Sequence, residues 1–215
     1  MSDEFMHEVH EDLRQQQLKE FWRENGNWII GGALLAVVMT AGMAFWRQHE
    51  AAVNARETAA LIKSMDTFDP AKMEDFSKNT DRKHAFLARF AAAKTYMERQ
   101  QYDMAAAAYD EAAGMMGVDG VWRDLARLYS ISLQIDKGEP EKLHKDLAQL
   151  TGKKAPWRFS ALEMEAVLYA REKKMKEAVS ALDSILADPL APAELRQRAS
   201  SLRGLYQSDA PSDKG

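Results

Sequence analysis

The chain has no cysteine among its 215 residues, which excludes disulfide frameworks, thiolate zinc sites, iron–sulfur clusters and cysteine nucleophiles together. Proline and glycine are scarce, at 6 and 11, so collagen-like and Pro/Gly-rich low-complexity classes fall as well. Basic excess is also missing: 29 Lys and Arg stand against 33 Asp and Glu, a formal charge of -4, and nucleic-acid binding wants a clustered basic face. There is no Gly-rich phosphate loop and no nucleophile elbow. His49, His84 and His144 fall on separate predicted elements, with no carboxylate or nucleophile partner evident by spacing. His7 and His10, at i and i+3 beside Glu11 and Asp12, are the one metal-like grouping. The same residues equally describe an exposed acidic helix in a tail, and that reading is preferred. Catalytic, cofactor and metal residues are therefore all assigned as none, and a metal-dependent hydrolase stands only as the rival.

What is present is one long apolar run. Mean hydropathy is -0.46, yet residues 28–46 read WIIGGALLAVVMTAGMAFW without a charge. At about 1.5 Å rise per residue such a helix spans roughly 28 Å, close to the ~30 Å hydrocarbon core. Trp28 and Trp46 stand at its ends with Trp22 just outside, where an aromatic belt anchors a span, and Arg47 stops it. A core helix of a soluble domain seldom keeps every face apolar for five turns. A cleaved signal peptide is the other alternative, since Gly42-Met43-Ala44 offers a small-x-small pattern. The preceding 27 residues carry seven acids against three bases, unlike the short basic leader of a signal peptide, so an uncleaved signal-anchor is the better reading. Arg14, Lys19 and Arg23 on one side balance Arg47, Arg56 and Lys63 on the other, which leaves orientation open on charge alone. Gly31, Gly32 and Ala36 form a small-residue face suited to packing against another membrane helix.

Beyond Arg47 the pattern is helical throughout, dominated by good helix formers, with no sustained period-2 alternation. Breaks at residues 66–70, 117–120, 138–140, 151–156 and 188–192 divide it. The reading is a helical stalk, three αα-hairpins with a period of 34 to 39 residues and a closing helix to about Tyr206. Ala93, Tyr96, Tyr102, Ala105, Tyr109 and Ala112 recur, interval for interval, as Ala166, Tyr169, Met175, Ala178, Leu182 and Ile185, 73 residues later. Small residues where helices cross and bulky ones between them are the tetratricopeptide pattern. The middle unit is degenerate, with Tyr129, Leu133, Leu143 and Leu147 expected to give its apolar faces. An irregular helical bundle is the alternative fold. The predicted fold class is all-α: one N-terminal transmembrane helix followed by an α-solenoid. Its expected divisions are a tail (1–27), the span (28–46), a stalk (47–80), the repeats (81–206) and a flexible end (207–215).

Three stretches extend this into a resemblance. Leu18-Lys19-Glu20-Phe21-Trp22-Arg23-Glu24-Asn25-Gly26 stands directly before the span, and Trp46-Arg47-Gln48-His49 follows it. Phe76-Ser77-Lys78-Asn79 with Phe86-Leu87-Ala88-Arg89-Phe90-Ala91-Ala92-Ala93 opens the repeats. Together these resemble the YfgM-type ancillary subunits of the bacterial SecYEG translocon. The resemblance implies a single-pass inner-membrane protein with a cytoplasmic N-terminal tail and periplasmic repeats. It also implies association with the Sec translocon and with a membrane-anchored, prolyl-isomerase-like periplasmic chaperone. The partners expected are thus these proteins and the lipid bilayer, with no nucleic acid. On that basis the chain is expected to be a non-enzymatic adaptor. A cell-envelope or division coordinator of the same fold, and a tethered oligomerisation module without clients, are the alternatives. Inward positions of the first helix in each hairpin give the candidate protein-binding residues: Leu87, Phe90, Lys94 and Met97 on the first unit, Glu163, Val167 and Arg171 on the third.

Overall fold

The computed structural model describes residues 35–209, which fall into two compact units divided between Arg56 and Glu57. In the first unit, residues 35–56 are helical and exposed along their whole length, Val37, Val38, Met39, Phe45 and Trp46 included. The Thr40 hydroxyl donates to the Ala36 carbonyl at 2.7 Å, the local bond by which a threonine hides its polar group on an apolar helix. Among the described residues, no helix is long and apolar enough to cross a membrane. Residues 28–34 of the expected span lie outside the described residues, as do Gly31, Gly32, His7 and His10.

All described regular structure is helical. Helix α1 covers residues 35–65, and its last turns, from Glu57, belong to the second unit. There follow α2 (Pro70–Lys78), α3 (Arg82–Glu98), α4 (Tyr102–Ala113), α5 (Gly120–Gln134), α6 (Pro140–Ala148), α7 (Arg158–Arg171), α8 (Met175–Leu186) and α9 (Ala193–Asp209). Three helix starts carry a side-chain cap, those of α2, α3 and α5. Asp69, Asp81 and Asp119 each accept a backbone N–H two residues on, at 3.1, 2.9 and 2.9 Å, and Pro70 takes the first position of α2, where no N–H is needed.

The two matched hairpins turn in the same way. Gln100 and Lys173 both sit in the left-handed region, at φ 60° and 61°. Around each, N–H groups reach back to the carbonyls of the preceding helix: Gln100 to Met97 and Gln101 to Tyr96, then Lys173 to Ala170 and Lys174 to Tyr169, all at 2.9 Å. This paired closure satisfies the last carbonyls and reverses the chain within three residues. The 73-residue offset read from side chains therefore holds for backbone geometry too. Ala93, Ala105, Ala112, Ala166, Ala178, Leu182 and Ile185 are wholly covered, whereas Tyr102 stands half exposed at the start of α4.

Three side-chain clusters form the core. Phe86, Ala93, Tyr96, Ala105, Tyr109 and Ala112 unite α3 with α4. Leu128, Ile131, Leu143, Leu147, Leu150 and Leu168 join α5, α6 and α7. Leu162, Ala166, Leu182, Ile185 and Ala199 join α7, α8 and α9. Burying each such aliphatic side chain contributes roughly 1.5–3 kcal/mol.

Two expectations are corrected. The second compact unit itself begins at Glu57, with Leu61, Met73 and Thr95 buried in it and α2 packed on α3 ahead of the repeats expected from residue 81. In the middle unit Leu143 and Leu147 are buried as expected, but α5 turns Leu128 and Ile131 into that core, not Tyr129 and Leu133. Leu133 packs on the first cluster, and Tyr129 stacks on Tyr109 at 5.2 Å. Finally, α9 continues to Asp209, past the 207 expected to begin a flexible end.

Candidate protein-binding surface

The candidate residues divide by how far their side chains are already engaged. On α3, Leu87 is half exposed and Lys94 is open, with only an exposed i,i+4 ion pair to Glu98 at 3.4 Å. Phe90 lies against the aromatic core instead. Its ring stands edge-on to Tyr109 at 5.0 Å and to Tyr129 at 5.7 Å, and it leans on Phe86 at 5.7 Å. Burial among these rings pushes the Tyr109 phenol up to about 12, so it stays neutral and works as packing. Met97 is partly buried on the same cluster.

On α7, Glu163 receives two bonds from Arg198 of α9, at 2.8 and 2.5 Å. Arg171 donates to the carbonyls of Ile135 and Gly138 at 2.5 and 2.7 Å, closing the unsatisfied end of α5. Val167 is half-buried. Leu87, Lys94 and Glu163 each border a different recess. Leu87 lines one of about 330 Å³ with Phe86, Val118 and Trp122. Lys94 borders one of about 250 Å³ beside Met65, Phe68 and Met73, and Glu163 one of about 650 Å³ beside Arg198 and Leu202. The seven residues are thus spread along α3 and α7 rather than gathered into one pocket.

Two histidines turn out to have carboxylate partners, against the sequence expectation. His84 Nδ1 meets Asp81, and its Nε2 lies 3.0 Å from the Thr58 hydroxyl. The i, i+3 spacing of Asp81 and His84 was the available signal. Burial would raise the Asp81 carboxyl, but hydrogen bonds from the His84 ring and from the Lys83 and His84 N–H groups outweigh it and hold it low. The order threonine, histidine, aspartate is that of a hydrolytic triad. Here, however, the hydroxyl sits within α1, Asp81 is consumed as the cap of α3, and none of the recesses above includes Thr58 or His84. The chain of bonds fastens the end of α1 to the start of α3, aided by Thr80 donating to Glu57 at 2.5 Å. His144 of α6 likewise meets Glu172 at 2.6 Å and leans on the Tyr169 ring at 4.6 Å. That pairing joins residues 28 apart, and no local spacing announces it. Among the described residues, no cluster of three or more potential metal ligands occurs.

The sequence is similar to known proteins. The Ancillary SecYEG translocon subunit of Haemophilus influenzae (strain ATCC 51907 / DSM 11121 / KW20 / Rd) is 28% identical over 151 residues, covering 67% of this chain and 74% of that protein. This agrees with the resemblance to the YfgM-type ancillary subunits that the segments flanking the apolar run suggest. No solved structure matches the chain. The family described as "Tetratricopeptide repeat-like domain" matches residues 19–197, a range that includes the apolar run and helices α1 to α8. The chain therefore belongs to the tetratricopeptide repeat-like domain family.

Proposed function

We propose that this chain is a membrane-anchored, non-enzymatic adaptor that associates with the Sec translocon and presents its helical repeats to partner proteins or emerging substrates. One observation carries the reading: the family match begins at residue 19, ahead of the apolar run, and continues through all three hairpins. Apolar run and repeats thus fall within one family match, and a relative over two thirds of the chain is named an ancillary translocon subunit. Residues 28–46 form the single span, with Gly31, Gly32 and Ala36 as the face toward a neighbouring helix. The N-terminus lies in the cytoplasm and the repeats in the periplasm, beside a membrane-anchored, prolyl-isomerase-like chaperone. Tethering raises the effective concentration of two weakly binding surfaces without new contacts, which is work a scaffold does without chemistry.

Among the binding residues, Leu87 and Lys94 meet the partner directly, while Phe90 and Met97 hold the helix surface in shape beneath them. On the third unit Val167 extends the surface, while Glu163 and Arg171 hold its shape through Arg198 and the end of α5. Affinity purification of the full chain from detergent-solubilised membranes tests this. Translocon subunits are expected to co-purify with the wild type, and Leu87→Asp with Lys94→Glu is expected to lose chaperone or substrate at unchanged helicity. Recovery of self-crosslinks alone, or of division proteins without translocon, contradicts the proposal. Phe90→Asp is a poor probe, because a carboxylate amid Phe86, Tyr109 and Tyr129 destabilises the fold itself.

A further inference from the structure

Helix α3 keeps one row of side chains open to solvent. Lys83, Leu87 and Lys94 are exposed and fall within about 40° of one another around the helix. Along its axis they stand about 6 Å and then about 10 Å apart, at about 1.5 Å per residue. Lys83 forms no ion pair among the described residues, and Lys94 has only its exposed pair with Glu98, a contact worth a few tenths of a kcal/mol. Two recesses flank this row. The first, of about 330 Å³, is lined by Lys83, Phe86 and Leu87 of α3 with Val118 and Trp122 from the approach to α5 and its first turn. The second, of about 250 Å³, opens beside Lys94 toward Met65, Phe68 and Met73.

The first recess leaves apolar surface wet. Leu87 is 50% exposed and Trp122 55%, while Met116, next to the rim residue Gly117, stands 80% exposed. Gly117 has no side chain to fill the rim, and Arg82 lies across it so closely that a Cβ there would meet its Nη1 at 2.7 Å. Arg82 thereby sets a second cation at the mouth, and it too forms no ion pair among the described residues. The carboxylates nearby are already engaged. Asp119, which also lines the recess, accepts the Val121 N–H, and Asp81 accepts those of Lys83 and His84 and meets the His84 ring. What this surface lacks is an apolar side chain to fill it and carboxylates to meet its cations.

We infer that α3 receives an extended acidic segment of the partner protein, one bulky apolar side chain entering the recess of Leu87 and Trp122 and two carboxylates meeting Lys83 and Lys94. This rests on the reading above, in which Leu87 and Lys94 meet the partner, and adds what that partner carries. Charge complementarity selects the occupant, since the cations of the row bracket the apolar position. The two recesses lie on opposite flanks of α3, and a strand is the form whose successive side chains point to opposite sides. A helical segment with one apolar stripe serves one flank only. Spacing follows from the rise of a strand, about 3.3 Å per residue: one carboxylate lies about two residues before the apolar side chain and the other about three after it.

A fluorescein-labelled peptide with that pattern, GSEGFSGEGS, titrated by anisotropy against the full-length chain in detergent micelles, tests this. It is expected to bind several-fold tighter than GSQGFSGQGS, than GSEGGSGEGS and than a version with both glutamates moved next to the phenylalanine. Combining Lys83→Glu with Lys94→Glu is expected to lose the acidic peptide and to gain its lysine counterpart, at unchanged helicity. Trp122→Ala is expected to weaken the acidic peptide several-fold and keep the charge preference. Equal binding of the glutamine peptide, or a charge-reversed chain whose preference does not invert, overturns the inference. Phosphatidylglycerol vesicles or a second copy of the chain using Lys83 and Lys94 while the acidic peptide stays unbound overturn it too. Co-purification of translocon subunits with the same chain reads the adaptor proposal separately. Translocon retained without any peptide preference defeats this inference alone, whereas the peptide preference without translocon defeats the adaptor reading and leaves the site standing.

Discussion

Lys173 is a lysine where the backbone wants glycine. It holds φ 61° at the turn between α7 and α8, and Gln100 holds φ 60° at the matching turn between α3 and α4. A side chain in that region costs roughly 1–2 kcal/mol, part of which glycine gives back through its freer unfolded chain. Both side chains are exposed, so nothing is lost by removing them. Lys173→Gly and Gln100→Gly are each expected to stabilise the repeats by about 0.5–1 kcal/mol, seen as a rise of about 2 °C in the melting midpoint. A fall would show that these side chains hold the turns themselves. Charge at the residue scale gives a second expectation. The hydrogen bond from His144, with that from Lys174, holds the Glu172 carboxyl below its ordinary 4.5. The unfolded chain then binds that proton more tightly than the folded one, so its stabilising effect is complete above 4.5 and fades as pH falls through the lowered value. Glu165, raised by burial, works in the opposite sense and favours the folded state as it protonates. Glu172→Gln is expected to make the acid decline in melting midpoint shallower, and Glu165→Gln to stabilise at neutral pH. Melts across the acid range check both, and an acid limb unmoved by Glu172→Gln contradicts the His144 pairing.

At the scale of elements, legibility followed locality. Alanine at the crossings of α3 with α4 and of α7 with α8 is a short-range signal; α3, α7 and α8 lie within two residues of the bounds the sequence suggests, and α4 ends at Ala113, three residues before the expected Met116. The middle unit was legible only in part, because its packing is decided by neighbours distant in sequence. Ser130 shows this. Wholly buried, it donates to the Ala106 carbonyl of α4 at 3.1 Å and accepts from Gln134 at 2.7 Å, serving as the small crossing residue that no interval pattern marked. The same crossing turns Leu128 and Ile131 inward and carries Tyr129 onto Tyr109. Helix α6 has nine residues and buries only Leu143 and Leu147. Isolated helices of that length are marginal, so its stability comes from those two leucines. Amides of α6 are therefore expected to exchange with solvent faster than those of α4 or α8, and Leu147→Ala to cost about 2–5 kcal/mol. Protection of α6 equal to that of α8 in hydrogen exchange would contradict this. The engagement of two candidate residues was illegible for the same reason: Glu163 and Arg171 have inward register, but Arg198 and the end of α5 bond them, each through a contact more than thirty positions away.

For the whole molecule, the central claim is that one chain joins a membrane segment at the translocon to repeats that hold partners beyond the bilayer. Site-specific photocrosslinking in intact cells, from positions 32 and 87 of the full chain, tests both halves at once. The expected result is a translocon subunit captured from position 32 and a periplasmic chaperone or secretory substrate captured from position 87. Capture of cytosolic proteins from position 87, or of nothing but a second copy from both positions, would contradict it.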